Sequence, residues 1–569
     1  MNLKELPEIF ENIAGLLEIK GENPFKIRAY QNAAKIISQI DGLEEKIKDK
    51  RLTEIKGIGE AIAKKIEEYY KTGSISYYDD LKRDFPLSLL ELRKIPTLGP
   101  KKIKTLYEKL GITNIGELEY ACKENRLLTL FRIGKRTQDR ILKGIEFFKK
   151  HKDEFLLAET ESQAEILRDS LKARFASSKV DICGSIRRKK EVVRDIDIIT
   201  TLESREALNQ FLGSFSETLT VISSDNEKTT LKLKSGVTAE IRRVKEEEYP
   251  YALLYFTGSD EHIAGLAPLF QKRGLNIWPI RATEKKQILK TEEEIYNAIG
   301  LDFIPPELRE GYGEIEAAAS KKLPELVKME DIRGALHVHT NFSDGLDSLK
   351  ILIDFSKGLG LEYIGISDHS RSAYYARGLK IENLKRQWAL IDEINRSEDS
   401  FFVFKGIESD ILPDGSLDYP DDVLKQFDFV IASIHSHFNL SKKEQMERII
   451  KALKNPYVTI FGHPTGRLLL YRDGYSLDME EIIEISINNG IVIELNASPY
   501  RLDIDWRHLK YAKNKGLLIS INPDAHSKTG LSDIKFGVAM ARKGWLEKKD
   551  VLNAKTSEEI KNFFNMRRR

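Results

Sequence analysis

Two histidines one residue apart, with an aspartate five residues further on, carry the first chemistry of this chain: His337, His339 and Asp344 in HVHTNFSDG. On a β-strand, residues i and i+2 face the same side, so the two imidazoles project together and Asp344 returns from the following loop. Such a trio begins a metal site, and six further stretches extend it. YIGISDH ends in Asp368 and His369, FFVFKGIESD carries Glu408, and FDFVIASIHSH carries His435 and His437. VTIFGHP carries His463, GIVIELNAS carries Glu494 and Asn496, and GLLISINPDAH carries Asp524 and His526. Each run is short, apolar and rich in β-branched residues, with a metal-capable side chain at its C-terminal end and a helix-like stretch after it. Seven such β-α repeats predict a distorted barrel with its chemistry on the face where the strands end. Eight of the ten histidines lie beyond residue 330, too concentrated at strand ends for core packing.

A second constellation lies upstream, in VDICGSIRRKKEVVRDIDIITT (180–201). A strand ending DIDII places Asp195 and Asp197 on one face, and paired carboxylates of this kind hold two divalent ions that align a triphosphate with an attacking 3′ hydroxyl. Gly184 and Ser185 on a turn, followed by Arg187 and Arg188, suit the triphosphate itself.

The front of the chain repeats a third pattern: LTEIKGIGEAIAKKIEEY (52–69), LRKIPTLGPKKIKTLYEKLG (92–111) and LLTLFRIGKRTQDRILKGI (127–145). Each is an apolar helix end, a tight glycine turn and a second helix opening on small or basic residues. Backbone N–H groups left unpaired at such a helix start attract phosphate oxygens without reading bases. The turn residues are Gly57 and Gly59, then Gly99 with Lys101 and Lys102, then Gly134 with Lys135 and Arg136. One copy would read as a plain glycine-capped hairpin; the repetition favours a DNA backbone. These stretches resemble helix-hairpin-helix motifs. Lys26, Lys64 and Lys65 share the region, and Lys65 is a candidate Schiff-base nucleophile for a sugar aldehyde, beside the plainer reading of a solvated helix lysine.

The elements that must position these groups need several domains, because 569 residues exceed what one core serves. Residues 1–150 hold 30 Lys/Arg against 23 Asp/Glu, a balance of about +7 ahead of a slightly acidic remainder. That asymmetry suits a nucleic-acid-binding front and metal-binding catalytic parts behind it. The two cysteines, Cys122 and Cys183, have neither metal-motif nor disulfide spacing. With no signal sequence and no apolar run of membrane length, the expectation is a cytoplasmic, nucleoid-associated monomer with no membrane partner.

On the hairpins, the GS…DID motif, YFTGSDEH (255–262) and IPPELREGYGEIEAA (304–318), residues 1 to about 318 resemble a family X DNA polymerase of the gap-filling repair type. Residues 335 to about 565 resemble the PHP (polymerase and histidinol phosphatase) family on the metal-capable strand ends. The resemblance implies α+β and α/β parts in the order 1–90 DNA-end-binding helix-hairpin-helix domain, 91–152 fingers-like domain, 153–243 nucleotidyltransferase palm, 244–318 thumb, 319–333 linker and 334–569 PHP barrel. It implies a palm triad of Asp195, Asp197 and Glu240 holding two Mg²⁺ or Mn²⁺, with the dNTP met by Gly184, Ser185, Arg188, Tyr255, Phe256 and Gly258. It implies nine barrel ligands, His337, His339, Asp344, His369, Glu408, His435, His463, Asp524 and His526, for up to three Zn²⁺ or Mn²⁺ bridged by Glu408, the choice of metal staying open. Arg371, Arg467 and Arg501 follow metal-bearing strands and are candidate phosphate clamps.

The palm departs from its family: Glu240 replaces an aspartate, Arg194 a glycine, Ile263 and Ala267 an asparagine and an arginine, and NIWPI a longer segment. The implied function is synthesis at gapped, nicked or recessed DNA, joined to metal-dependent removal of 3′ ends and cutting at abasic sites. Three alternatives stay open: a PHP nuclease whose palm only holds DNA, a histidinol-phosphatase-like small-molecule enzyme, and a DNA-end-binding scaffold with no catalysis.

Overall fold

The computed structural model describes residues 3–567 apart from 41, 97, 131–132, 151, 275–276, 278–288 and 399, so the NIWPI segment falls, but for Ile277, outside the described residues. The chain divides into two compact units, Met1–Asp153 and Glu154–Arg569.

The first unit is helical. In the helix Glu60–Thr72, Ile62, Ile66 and Tyr69 are buried, which sets one apolar stripe toward the core and leaves Lys64 and Lys71 exposed, with Lys65 partly buried. Gly59 caps that helix and Gly99 caps Pro100–Leu110, while Gly134 directly precedes Lys135–Lys150. Each glycine turn therefore delivers a helix N-terminus.

The second unit begins with a five-stranded mixed sheet formed by β1 (Val180–Ile182), β2 (Asp195–Thr200), β3 (Thr218–Ser224), β4 (Lys228–Leu233) and β5 (Thr238–Arg243), in the order β1-β2-β5-β4-β3. β2 and β5 are its parallel pair. Period-two alternation sends Ile196 and Ile198 into the core with Leu167 and Leu171 of the helix Leu157–Arg174, and leaves Asp195 and Asp197 on the opposite face. The helices Tyr249–Thr257, Asp260–Lys272 and Glu292–Ala298 follow, around a core that includes Leu254, Leu266, Phe270 and Tyr296.

Seven parallel strands in sequential order complete the unit: β6 (Gly334–Val338), β7 (Tyr363–Ile366), β8 (Phe402–Asp410), β9 (Phe429–Ser433), β10 (Ile460–Phe461), β11 (Val492–Asn496) and β12 (Ile519–Asn522). Helices cover them outside, so both faces are buried and the strands read as continuous apolar runs. Immediately after β12, Ala525 bridges Val338; the His339 amide donates to the Ala525 carbonyl (2.9 Å) and the Ala525 amide to the His337 carbonyl (3.2 Å), which nearly closes the barrel. That closure brings the ends of the first and last strands, with their ligands, side by side.

Buried ion pairs join the three parts of this unit. Arg187 and Arg309 both bind Glu292 at 2.5 Å, Arg188 Nε binds Glu310 at 3.0 Å, and Lys543 Nζ reaches the Arg188 carbonyl at 3.0 Å as well as Glu310. Glu191 accepts from Trp506 Nε1 (3.1 Å) and Arg507 Nη1 (2.8 Å). No described helix is long and apolar enough to cross a membrane.

Candidate functional site

At the C-terminal end of the barrel the expected ligands converge. Ligand atoms lie within 4.8 Å of one another in three overlapping groups: His339, Asp344, His369 and His526; His337, His339 and Asp524; and His369, Glu408 and His435. His463 joins them through Nε2, 2.9 Å from Glu408 Oε1. Glu408 is the hub, with nitrogens of His369, His435, His337 and His339 at 2.8, 3.2, 3.4 and 3.7 Å from its carboxylate. That central position suits the bridging role expected of it.

Burial makes the arrangement costly without ions. His337 Nε2, both ring nitrogens of His339 and His463 Nδ1 are buried with no hydrogen-bond partner. Each such atom costs ~1–3 kcal/mol unless something satisfies it. A mixed imidazole and carboxylate set, with ligand atoms this close together, fits divalent transition metal ions.

The electrostatics agree. Burial, and then the neighbouring His526 and His369, push His339 down to about 3, so it presents a neutral imidazole. Burial also works against charge on His435, but Glu408 and Asp410 outweigh it and hold that ring up at about 10. Glu408 and Asp524 stay far below the usual carboxylate range despite burial, because histidines surround them. A divalent ion held by these residues would take the place of the protons on the cluster.

A shell of acids not expected as ligands orients the rings. His337 Nδ1 bonds Glu494 Oε1 at 2.7 Å, which turns Nε2 toward the cluster. Glu494 also accepts from Asn522 Nδ2 (3.0 Å), the His463 amide (2.7 Å) and Asn496 Nδ2 (3.2 Å). His435 Nδ1 bonds Asp410 Oδ1 at 2.7 Å, and Asp410 stands two residues after Glu408 on the same strand face. Asp368 accepts from the Thr340 amide (2.8 Å), Thr340 Oγ1 (2.6 Å) and Gln387 Nε2 (2.6 Å), fixing the loop after β6. The i, i+2 spacing of Glu408 with Asp410 was a signal for one of these partners; the His337–Glu494 pairing spans 157 positions and had none.

In the sheet of the second unit, the β2–β5 register sets Glu240 beside Asp197, on the face that also carries Asp195. Burial, then Asp195, then Glu240 raise Asp197 to about 7, as expected of carboxylates crowded without a cation. Glu240 is drawn aside, bound by Lys228 Nζ at 2.7 Å and Arg242 Nη2 at 2.9 Å. Gly184, at φ +65°, lies against Asp197, where any Cβ would fall on Oδ2 of the carboxylate. In the helical unit Lys65 Nζ lies 5.0 Å from the Tyr77 ring centroid, with Lys26 Nζ at 5.3 Å from the same ring, and its pKa is lowered by burial.

The chain is 36% identical, over 99% of its length and 99% of the relative's, to "DNA polymerase/3'-5' exonuclease PolX" of Bacillus subtilis (strain 168). It belongs to the family X DNA polymerases that carry a PHP domain. Family models match as a helix-hairpin-helix domain (residues 1–75), a SAM-like helix-hairpin-helix tandem (89–146), a DNA polymerase beta thumb (252–310) and a PHP domain (335–498). A "Probable phosphatase" of Caldicellulosiruptor saccharolyticus is 29% identical over 34% of this chain and 81% of its own length. A further "Probable phosphatase", of Acetivibrio thermocellus, is 37% identical over 22% of this chain and 52% of its own.

Against the family's pattern, several side chains lie where sequence reasoning did not put them. Arg467, expected as a phosphate clamp, donates through Nε to the Arg501 carbonyl (2.8 Å), through Nη1 to Asp505 (2.5 Å) and through Nη2 to the Leu502 carbonyl. It braces the loop after β11, with each of its three nitrogens engaged by the protein. Arg188, expected at the triphosphate, turns instead to the Thr257 carbonyl (2.7 Å) and Glu310. Arg194 is mostly exposed and 3.1 Å from Glu154. Arg501 does reach the barrel cluster, 3.5 Å from Asp524, and Arg371 is half-exposed beside it, held by Asp418 at 3.2 Å. The FTGS segment borders the palm carboxylates: Phe256 lies under the Arg242 guanidinium at 4.5 Å, Tyr255 packs edge-on to Phe256, and Gly258 leaves room for Ile263. Ser185 is half-buried one residue beyond Gly184, Lys101 and Arg136 are exposed, and Lys135 is 3.5 Å from Asp139.

Proposed function

We propose that this family X polymerase is a DNA-repair enzyme that fills gaps from its palm and trims 3′ ends from its PHP barrel. The observation that carries the reading is the convergence of eight metal-capable side chains in three overlapping groups, joined by His463 through Glu408, with buried imidazole nitrogens among them that lack hydrogen-bond partners. Its B. subtilis relative bears both activities in its name. The substrates are gapped, nicked or recessed DNA and dNTPs, held through the backbone by the hairpin turns at Gly57, Gly99 and Gly134. We assign two Mg²⁺ or Mn²⁺ to Asp195, Asp197 and Glu240, and up to three Zn²⁺ or Mn²⁺ to the barrel, in a monomer working at the nucleoid.

Ions at the barrel site would supply an acidified water and neutralise charge developing on the phosphoryl group. The chain's own residues do the rest. Glu494 and Asp410 fix the faces of His337 and His435, Arg501 and Arg371 offer cations to the flanking phosphates, and the partly exposed Asp344 and His526 leave the cluster open to solvent on one side. Cutting at abasic sites uses the same cluster, and a Schiff base at Lys65 would serve sugar aldehydes left at 5′ ends.

One observation favours a second reading, in which the palm holds DNA without efficient synthesis: Glu240 is bound to Lys228 and Arg242 rather than left free beside Asp197. A labelled primer on a one-nucleotide-gapped duplex, with Mn²⁺, with and without dNTPs, decides between them. Growth that Asp195→Ala abolishes supports the polymerase. A primer that only shrinks, and does so only with an intact His339, supports the DNA holder. A primer unchanged in every condition refutes both.

A further inference from the structure

In the loop that follows His369, the burial of SAYYARG runs opposite to hydrophobicity. Ala373 and Ala376 are fully buried, while Tyr374 and Tyr375 between them are 89% and 68% exposed. Exposing two large rings while burying two methyl groups forgoes apolar burial that the fold could have used. The loop is nevertheless well fixed. The Leu379 amide donates to the His369 carbonyl (2.8 Å) and the Gly378 amide to the Ala373 carbonyl (3.0 Å). Gly378 packs so closely on the Ser370 carbonyl that a Cβ could not be accommodated. Ser372 binds Asp418 through its amide (2.6 Å) and Asp410 through its hydroxyl (2.7 Å), and Asp410 is the carboxylate that orients His435. The tyrosines therefore stand on a support shared with the metal ligands. The Tyr375 ring centroid lies 6.0 Å from that of His369 and 6.3 Å from that of His435. Arg371, one residue after the segment that ends in His369 and Ser370, supplies a half-exposed cation on the same loop.

We propose that Tyr375, flanked by Tyr374, is a stacking platform for the base of the 3′-terminal nucleotide presented to the barrel. Resting on the function proposed above, this names what the site recognises beyond a phosphodiester: a nucleobase, of any identity, because every base has a π-face. A rigid aromatic surface costs little ordering entropy on binding, which suits selection of polynucleotide ends over small phosphate esters.

The test compares single strands ending in an ordinary nucleotide with strands ending in a tetrahydrofuran abasic residue, using the full chain with Mn²⁺ and reading KM and kcat separately. His339→Ala protein runs in parallel. Wild type should prefer the base-bearing end through KM, by roughly 5- to 150-fold, the range that stacking of one base supports. Tyr375→Ala should collapse that ratio toward one, and Tyr375→Phe should keep it. A ratio unchanged in Tyr375→Ala overturns the platform, and a ratio lost equally in Tyr375→Phe overturns stacking in favour of a hydroxyl contact. If neither strand is hydrolysed in a His339-dependent way, the proposed function itself fails and takes the platform with it.

Discussion

Glu494→Gln exchanges one atom and should cripple the barrel cluster. The carboxylate is wholly buried and each of its oxygens accepts two hydrogen bonds, from His337 Nδ1 and Asn522 on one side and from the His463 amide and Asn496 on the other. Glutamine keeps a single acceptor oxygen. Whichever way its amide turns, an NH₂ group meets two donors that face it. Two buried donors left unpaired at ~1–3 kcal/mol each give a loss of about 2–6 kcal/mol in stability. If the amide oxygen keeps His337, the ring still loses a charged partner, and removing such an outer carboxylate weakens metal binding about 10–100-fold. The assay is bound metal after dialysis against graded chelator, with urea unfolding of the same samples. Metal affinity within threefold of wild type, at unchanged stability, would show that Glu494 does not position these ligands.

Three other expectations follow from the palm and its junction with the barrel. Gly184→Ala places a side chain in the left-handed region, costing ~1–2 kcal/mol, and drives it into Asp197. Gap filling should drop about 100-fold while barrel hydrolysis is kept, and gap filling within threefold of wild type would contradict this. In chelator-treated protein the native state holds a proton on Asp197 up to about 7 that the unfolded chain gives up near its ordinary value, about 4. The associated stability is present in full below pH 4 and is lost as pH rises through 7, so Asp197→Asn should flatten that slope in urea titrations; an unaltered slope speaks against it. Lys543→Met removes one of the two cations on Glu310, leaves Arg188, and should destabilise the second unit by about 1.5–3 kcal/mol in urea unfolding, where a loss under about 0.5 kcal/mol would contradict the coupling.

Much of this molecule is legible in one dimension because its chemistry rides on short periods. His337 with His339, and Asp195 with Asp197, are two residues apart on strands, so local geometry alone puts each pair on one face. The glycine turns at Gly59 and Gly99 deliver helix starts through backbone conformation that needs no distant partner. Long, flexible side chains were not legible. Arg467 and Arg188 follow the motifs that pointed to phosphate, yet their guanidinium groups go to Asp505 and Glu310, acceptors far along the chain that only packing brings near. Glu240 sits in the expected register, but Lys228 of the neighbouring strand decides where its carboxylate points. SAYYARG carries no pattern from which to read that alanines are buried and tyrosines exposed, because that inversion depends on what lies beneath the loop. By itself, then, the sequence determined which metal-capable side chains stand at strand ends and which glycine turns open helices, because both follow from periodicity and residue type, while its resemblance to known families gave the class of chemistry. Only tertiary structure decided which acids aim the histidines, which acceptors the arginines bind and how the sheet, the thumb helices and the barrel lock together, because a hydrogen bond's direction depends on partners that chain closure selects.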